Sequence, residues 1–234
     1  MKALVLAAGR GTRMKDLTRE VPKHMIDVGG RPFLHYLIEN LKKAGFDDIA
    51  VVVCYKKDVI GEWVQSSNIA VTLIEQGEPQ GTGDAVKHAE EWAGREDFAV
   101  IMGDNLYSPK DMRRMMAKDE YSYIAAARGL DQTKLGAIVT EGEFLARLVE
   151  KPPKQISDIS NVGMYKFTHE IFGVLRKTGK SPRGEYELTD AVSMLSEKRK
   201  VKVMILEDYW VDFTRPGDVQ KALKFISANG LGES

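Results

Sequence analysis

The 234-residue sequence holds one cysteine, four histidines and no excess of either charge, with 34 Lys+Arg against 34 Asp+Glu. Each scarcity excludes something. Cys54 has no partner for an intramolecular disulfide, and its place after Val51-Val52-Val53 reads as a small buried hydrophobe. His24, His35, His88 and His169 are scattered, with none of the spacing of a zinc ligand set. Zero net charge gives no global attraction to nucleic acid or to an anionic membrane. No apolar run approaches the ~20 residues that span a bilayer. No signal-peptide pattern opens the chain, so a cytoplasmic location is expected. Internal repeats and low-complexity linkers are missing as well. At 43% hydrophobic residues the chain can bury a substantial core. Its length fits one α/β domain, with or without a small lobe.

What is present is concentrated first between Lys2 and Lys23. Ala3 to Ala8 is an unbroken apolar run, as in a strand buried on both faces of a parallel sheet. Gly9 and Gly11 follow, letting the backbone turn sharply and approach a ligand. Backbone N–H groups in such a loop form an anion-binding concavity. Arg13 and Lys23 add full positive charge, so the stretch points to a polyphosphate site. The dinucleotide fingerprint fails, because Met14 stands where a third glycine is required, and the Walker pattern is absent. By itself, Gly-x-Gly is equally the turn of any α/β protein.

Along the chain, strands are predicted at Ile49–Cys54, Ala70–Glu75 and Phe98–Met102, with helices at Arg31–Ala44, Asp58–Gln65, Thr82–Ala93 and Pro109–Lys118. This rhythm predicts a doubly wound, mostly parallel, Rossmann-like sheet with ligands at the carboxyl ends of its strands. The second half reads as strands at Tyr123–Arg128, Ala137–Thr140, Leu145–Glu150 and Asn161–Phe167, then helices at His169–Leu175 and Leu188–Ser196. Val201–Leu206 and Tyr209–Val211 are strands, and Pro216–Ala228 a closing helix. Pro152–Ile159 and Gly179–Arg183 are expected to be mobile, and the tail from Asn229 to be frayed. Three further groups carry chemistry. Gln76 and the glycines up to Gly83 can meet the polar edge and face of a base, or simply connect strand to helix. Asp104, at a strand end, is a natural magnesium ligand beside phosphates. Glu150-Lys151-Pro152 is, alone, a solvated charge pair.

Leu-Ala-Ala-Gly-Arg-Gly-Thr-Arg-Met followed by Pro22-Lys23 resembles the signature of the sugar-1-phosphate nucleotidyltransferases. The resemblance, closest to glucose-1-phosphate thymidylyl- and uridylyltransferases, runs to about Val219. It implies a single domain over residues 1–228, nucleotide-binding to about 120 and a small sugar-binding β lobe from 121, with a tail at 229–234. It places Leu6, Ala8, Gly9, Gly11, Thr12, Arg13, Lys23, Gln76, Gly81, Thr82 and Asp104 on a nucleoside triphosphate. Gly136, Glu150, Lys151 and Asn161 then bind the sugar 1-phosphate. Glu185, Glu187 and Asp190, in a Gly-Glu-x-x-Leu-Thr-Asp-like stretch, either touch sugar hydroxyls or position the next helix. Asp104 and Asp212 become Mg²⁺ ligands expected to converge, and Arg13, Lys23, Asp104 and Asp212 the catalytic set. Phe213-Thr214-Arg215 departs from the family's small-residue turn. The family's carboxyl-terminal left-handed β-helix, and the acetyltransferase activity some relatives carry there, are not expected. A homo-oligomer is compatible with the sequence. UTP or dTTP is favoured. Two rivals stand beside this reading: a silent nucleotide-sugar sensor, and a cytidylyltransferase acting on a non-sugar phosphate.

Overall fold

The computed structural model describes residues 1–231. The first half runs β1 (Lys2–Leu6), α1 (Phe33–Ala44), β2 (Asp48–Val53), α2 (Lys57–Ser67), β3 (Thr72–Glu75), α3 (Thr82–Lys87), α4 (Glu90–Ala93), β4 (Phe98–Met102), β5 (Asn105–Tyr107) and α5 (Pro109–Arg114). The second half adds β6 (Ser122–Arg128), β7 (Gly136–Glu141), β8 (Phe144–Glu150), β9 (Ile159–Phe167), α6 (Glu170–Leu175), α7 (Leu188–Ser196), β10 (Val201–Ile205), β11 (Trp210–Asp212) and α8 (Gly217–Ala228). Nine strands form one sheet in the order β3-β2-β1-β4-β9-β6-β10-β8-β7, while β11 and β5 pair separately. Among the described residues no helix is long and apolar enough to cross a membrane.

Alternation along β1 explains the layering. Ala3 and Val5 enter a core shared with α1, α2, α5 and α8; Leu4 and Leu6 enter one shared with α3, α6 and α7. Helices therefore cover both faces, as the doubly wound reading requires. α1 buries Phe33, Leu34, Leu37, Ile38 and Leu41 on one stripe. It stops where Gly45 N–H bonds Lys42 O at 2.9 Å and Phe46 N–H bonds Leu41 O at 3.1 Å, a Schellman ending. At α5, Ser108 Oγ accepts from Asp111 N at 3.0 Å with Pro109 next, so Ser108 is the cap.

Parallel pairing joins β3, β2, β1 and β4, and again β10 and β6. β9 is antiparallel to β4, β6 and β7. Its Met164–Phe167 half lies on β4; its Ile159–Asn161 half lies on β7. With β7, β8, β10 and β6 also neighbours in series, these strands and β9 close on themselves. The closure arises because β7, β8 and β9 follow one another without intervening helices, and short connections make antiparallel neighbours.

Several local expectations are corrected. The helix read over Thr82–Ala93 breaks at Ala89 (φ −91, ψ 2), and Trp92 beyond the break donates Nε1–H to Asp48 Oδ1 at 3.0 Å. Tertiary packing of the indole outweighs the helical period there. α5 ends at Arg114, short of Lys118. Cys54 is half-buried, and its thiol donates to Gly77 O at 2.9 Å. The 152–159 connection is pinned, since buried Gln132 donates to Ser157 Oγ and Ile159 O and accepts from the Ile156 and Ser157 amides. The 179–183 stretch is tied through Ser181, whose amide donates to Glu185 O at 2.8 Å. In the tail, Asn229 and Leu231 hydrogen-bond back onto α8, and residues 232–234 lie outside the described residues.

Candidate active site

A cleft of about 740 Å³ opens at the carboxyl ends of β1 and β4. Leu6, Ala8, Gly9, Gly11, Thr12, Lys23, Gln76, Gly81, Thr82 and Asp104 all line it. After β1 the chain passes Gly11 at φ +63, a left-handed conformation that suits glycine. A Cβ there would stand 2.9 Å from Lys23 Cβ, so the glycine also makes room for Lys23. Lys23 is buried and its ammonium pairs with the Asp104 carboxylate. Asp104 Oδ1 accepts from Asn105 Nδ2 at 3.0 Å. Burial pushes the Asp104 pKa upward, but the Lys23 charge and hydrogen bond, with His24 and Arg13, hold it below the usual carboxylate range. Arg13 itself is exposed and acts on Asp104 through its charge, while Arg10 stands in the cleft wall.

Asp212 arrives from the other end of the chain. β11 pairs antiparallel with β5, setting Asp212 opposite Asn105, and Phe213 N donates to Asp104 O at 2.9 Å. Trp210 Nε1 donates to Asn105 Oδ1 at 2.8 Å, reinforcing the ladder. Phe213, the departure from the small-residue turn, stacks on Phe33 with centroids 4.2 Å apart and anchors the strand to α1. Thr214 Oγ1 donates to Asp212 Oδ2 at 2.9 Å, and Asp218 takes the Thr214 and Arg215 amides. The Asp212 pKa is raised, first by lost hydration, with Asp104 and Asp218 adding like charge against the Thr214 bond. Asp104 lines the cleft, and Asp212, carried on the strand paired with β5, feels its charge. No group of three or more His, Cys, Asp or Glu that could hold a metal occurs among the described residues. Mg²⁺ does not need one, because it takes one or two carboxylates and fills its octahedron with phosphate and water oxygens. This donor set fits magnesium.

Gln76 is buried at the end of β3. Its Nε2 donates to Gly81 O at 3.2 Å and Asp84 Oδ2 at 2.9 Å. Both amide protons are engaged, which fixes the flip and leaves Oε1 as an acceptor. The glycines beside it serve the protein's own packing. A Cβ on Gly81 would stand 2.5 Å from Tyr186 O, and one on Gly83 3.0 Å from the same atom.

The residues expected on the sugar side also come together. Gly136 on β7 is in register with Glu150 on β8 and with Asn161 on β9. Three neighbouring strands therefore set these residues side by side. Lys151 follows with φ +45, and its Nζ lies 3.3 Å from Glu150 Oε1. Asn161 has both ends in use, Nδ2 donating to Tyr165 Oη at 2.7 Å and Oδ1 accepting from Gly163 N at 2.9 Å. Arg183 Nη2 lies 2.9 Å from Glu187 Oε1 and 3.9 Å from Glu150 Oε1. Asp190 is raised, first by burial and then by Glu187, against Arg183.

Sequence reasoning passed over Arg10, His24, Glu78, Pro79, Gln80, Ala85 and Met102 in the cleft wall. Arg10 and His24 sit beside residues that were singled out, and that adjacency was the available signal. Burial first, and Lys23 second, drop the His24 pKa to about 3, so its ring is neutral; Nδ1 finds no partner among the described residues.

A family model described as Nucleotidyl transferase matches residues 2–229. The Bifunctional protein GlmU of Methanocaldococcus jannaschii is 36% identical over 228 residues, which cover 97% of this chain and 54% of that protein. The chain spans about half the length of the GlmU relatives it matches. UTP--glucose-1-phosphate uridylyltransferase AglF of Haloferax volcanii is 32% identical over 232 residues, 95% of each chain. A UDP-glucose pyrophosphorylase solved with UDP-glucose shares the fold, with a TM-score of 0.87 over 97% of this chain and 98% of that one at 24% identity.

Proposed function

The chain belongs to the nucleotidyl transferase family, and from that premise we propose that it joins UTP or dTTP to a hexose 1-phosphate such as glucose 1-phosphate. Pyrophosphate is released and a nucleotide sugar formed. The observation that supports this reading is the Lys23–Asp104 pair beside a glycine loop in the cleft, with Asp212 carried on the strand paired with β5. The choice of base is supported by Gln76, whose Oε1 is left to accept while its amide protons are occupied. Uracil and thymine offer an N3–H to such an acceptor. They differ by one methyl, worth only ~1–3 kcal/mol in a pocket, so both triphosphates are expected to be used. AglF, named for glucose 1-phosphate and matched over 95% of both chains, supports the sugar.

A phosphate oxygen of the sugar phosphate attacks the α-phosphorus in line, and the bond to the pyrophosphate oxygen breaks with its electron pair. The nucleophile is already an anion near neutral pH, so positioning and charge neutralisation are the protein's task. Lys23 sits buried where negative charge must be met, and Arg13, exposed and acting on Asp104 through its charge, is suited to the leaving pyrophosphate. Lys151 meets the sugar phosphate. Mg²⁺ held by Asp104 and Asp212 would supply Lewis-acid neutralisation of the phosphates.

The test is pyrophosphate release over a panel of triphosphates and sugar phosphates, with alcohol phosphates and CTP included. Turnover with UTP or dTTP and a hexose 1-phosphate is expected. Preference for CTP with an alcohol phosphate would transfer the site to the rival chemistry, and binding of a nucleotide sugar with no turnover in any combination would mark a sensor.

A further inference from the structure

Between α6 and α7 the chain runs along the cleft, which Glu185 lines. This segment, Ser181 to Leu188, touches both proposed subsites. On the nucleotide side it docks on the loop that leads into α3. Tyr186 N–H donates to Gln80 O at 2.8 Å, and Gly83 N–H donates back to Tyr186 O at 2.8 Å. Leu188 N–H donates to Thr82 Oγ1 at 3.0 Å. No side chain within the segment caps α7, so Thr82 supplies from outside the acceptor that its first turn lacks. Gly81 and Gly83 let the segment lie this close, because a Cβ on either would press on the Tyr186 carbonyl. Lys87 Nζ, from α3, covers the Tyr186 ring at 4.2 Å.

At its other end the segment reaches the sugar side. Ser181 Oγ donates to Glu187 Oε1 at 3.0 Å, and Arg183 lies against Glu187 and Glu150. Glu185, between the two ends, lines the cleft. A displacement of the segment at Thr82 therefore moves Arg183 and Glu187 with it.

We propose that residues 181–188 form a strap coupling the two subsites, with Thr82 a positioning residue for Arg183 and Glu187 rather than a reader of the base. The proposal rests on the reading of the cleft given above. Thr82 acts through the Leu188 amide, so its loss is felt at the sugar phosphate before the triphosphate.

Thr82→Val keeps the shape and removes the acceptor; Thr82→Ser restores it. A buried donor left without its acceptor is expected to raise the KM for glucose 1-phosphate about tenfold in Thr82→Val, while the KM for UTP stays within about twofold. Thr82→Ser returns both toward the wild-type values. A UTP KM that rises as much as or more than that of the sugar phosphate overturns the proposal, as does a sugar-phosphate KM that does not change. Hydrogen exchange at the Leu188 amide reads the strap without turnover. It should quicken in Thr82→Val and recover in Thr82→Ser, and an unchanged rate overturns the strap. Wild-type protein inactive on every substrate pair would instead sink the reading of the cleft, and the exchange result would still stand on its own.

Discussion

The carbonyl of Asp104 accepts a hydrogen bond from the amide of Phe213 at 2.9 Å, which ties Asp104 to its distant neighbour Asp212 across the β5–β11 ladder. The two carboxylates are delivered by backbone pairing and not by flexible side-chain reach. Asp212→Asn keeps the ladder and the Thr214 bond but removes one anion from the proposed magnesium pair. Metal-dependent turnover is expected to fall by about a hundredfold or more, the size seen when a preorganised electrostatic group is lost. The thermal midpoint should hold or rise slightly, since a like-charge contact is relieved. Turnover close to wild type would remove Asp212 from the metal site.

Lys151 is a non-glycine residue at φ +45, a conformation that costs roughly 1–3 kcal/mol and is retained where the surroundings impose it. The Lys151 amide bonds Leu135 O at 3.0 Å, which fixes that backbone and aims the side chain alongside Glu150. Lys151→Ala is expected to raise the KM for sugar phosphate about tenfold and that for triphosphate much less, as for loss of one charge-assisted contact. Equal effects on both constants would take Lys151 out of the sugar-phosphate role.

What could be read from the sequence followed from how local each feature is. β1, the stop at Gly45 and the span of α7 were legible because periodicity and capping act within a few residues. The two loops that line the cleft could be picked out for the same reason, as Gly9 to Lys23 and Gln76 to Thr82 are each nearly contiguous. β5 was not legible, because its three residues become a strand only through β11, and Trp210 reaches Asn105 from 105 positions away. The closure through β9 depends on one strand holding β4 and β7 along different halves of one edge, which no single-strand pattern encodes. Gln132 and Thr82 were opaque in the same way. Gln132 is polar yet fully buried, and its partners lie around residue 157; the partner of Thr82 is an amide 106 positions on.

Lys166 is fully buried on β9 with Asp97 Oδ2 at 2.9 Å and Asp119 Oδ1 at 3.4 Å. Burial raises the Asp119 pKa, but Tyr123, the Tyr121 amide and Lys166 pull it below the ordinary value. A carboxylate depressed by folding stabilises above its unfolded pKa of ~3.9, and that stabilisation disappears as pH falls through the folded value. Asp119→Asn should therefore lower stability by about 1 kcal/mol near neutral pH, discounted for its partial exposure. The gap between variant and wild type should close below the folded pKa. Thermal midpoints measured from pH 7 down to strong acid check this, and a gap that widens on acidification would contradict it.

Gly163 ties β9 to Met102 in the wall of the cleft. It lies on β9 at φ +79, and a Cβ there would stand 2.6 Å from Met102 Cγ. Met102 ends β4 and lines the cleft. Gly163→Ala thus carries two separable penalties. The left-handed backbone costs an L-residue about 1–2 kcal/mol wherever Met102 goes. The overlap adds roughly 1–3 kcal/mol unless the thioether moves, and it pushes Met102 toward the nucleotide. The single variant should melt lower and show a raised KM for triphosphate. Met102→Ala removes Cγ and leaves its Cβ 3.3 Å from the new methyl, a tight contact that a small shift relieves. In the double variant the steric part should disappear and the backbone part remain, so the two changes should be less than additive in stability. Full additivity in melting and in KM would mean that Gly163 and Met102 do not press on each other, and that the link from β9 to the cleft wall runs elsewhere.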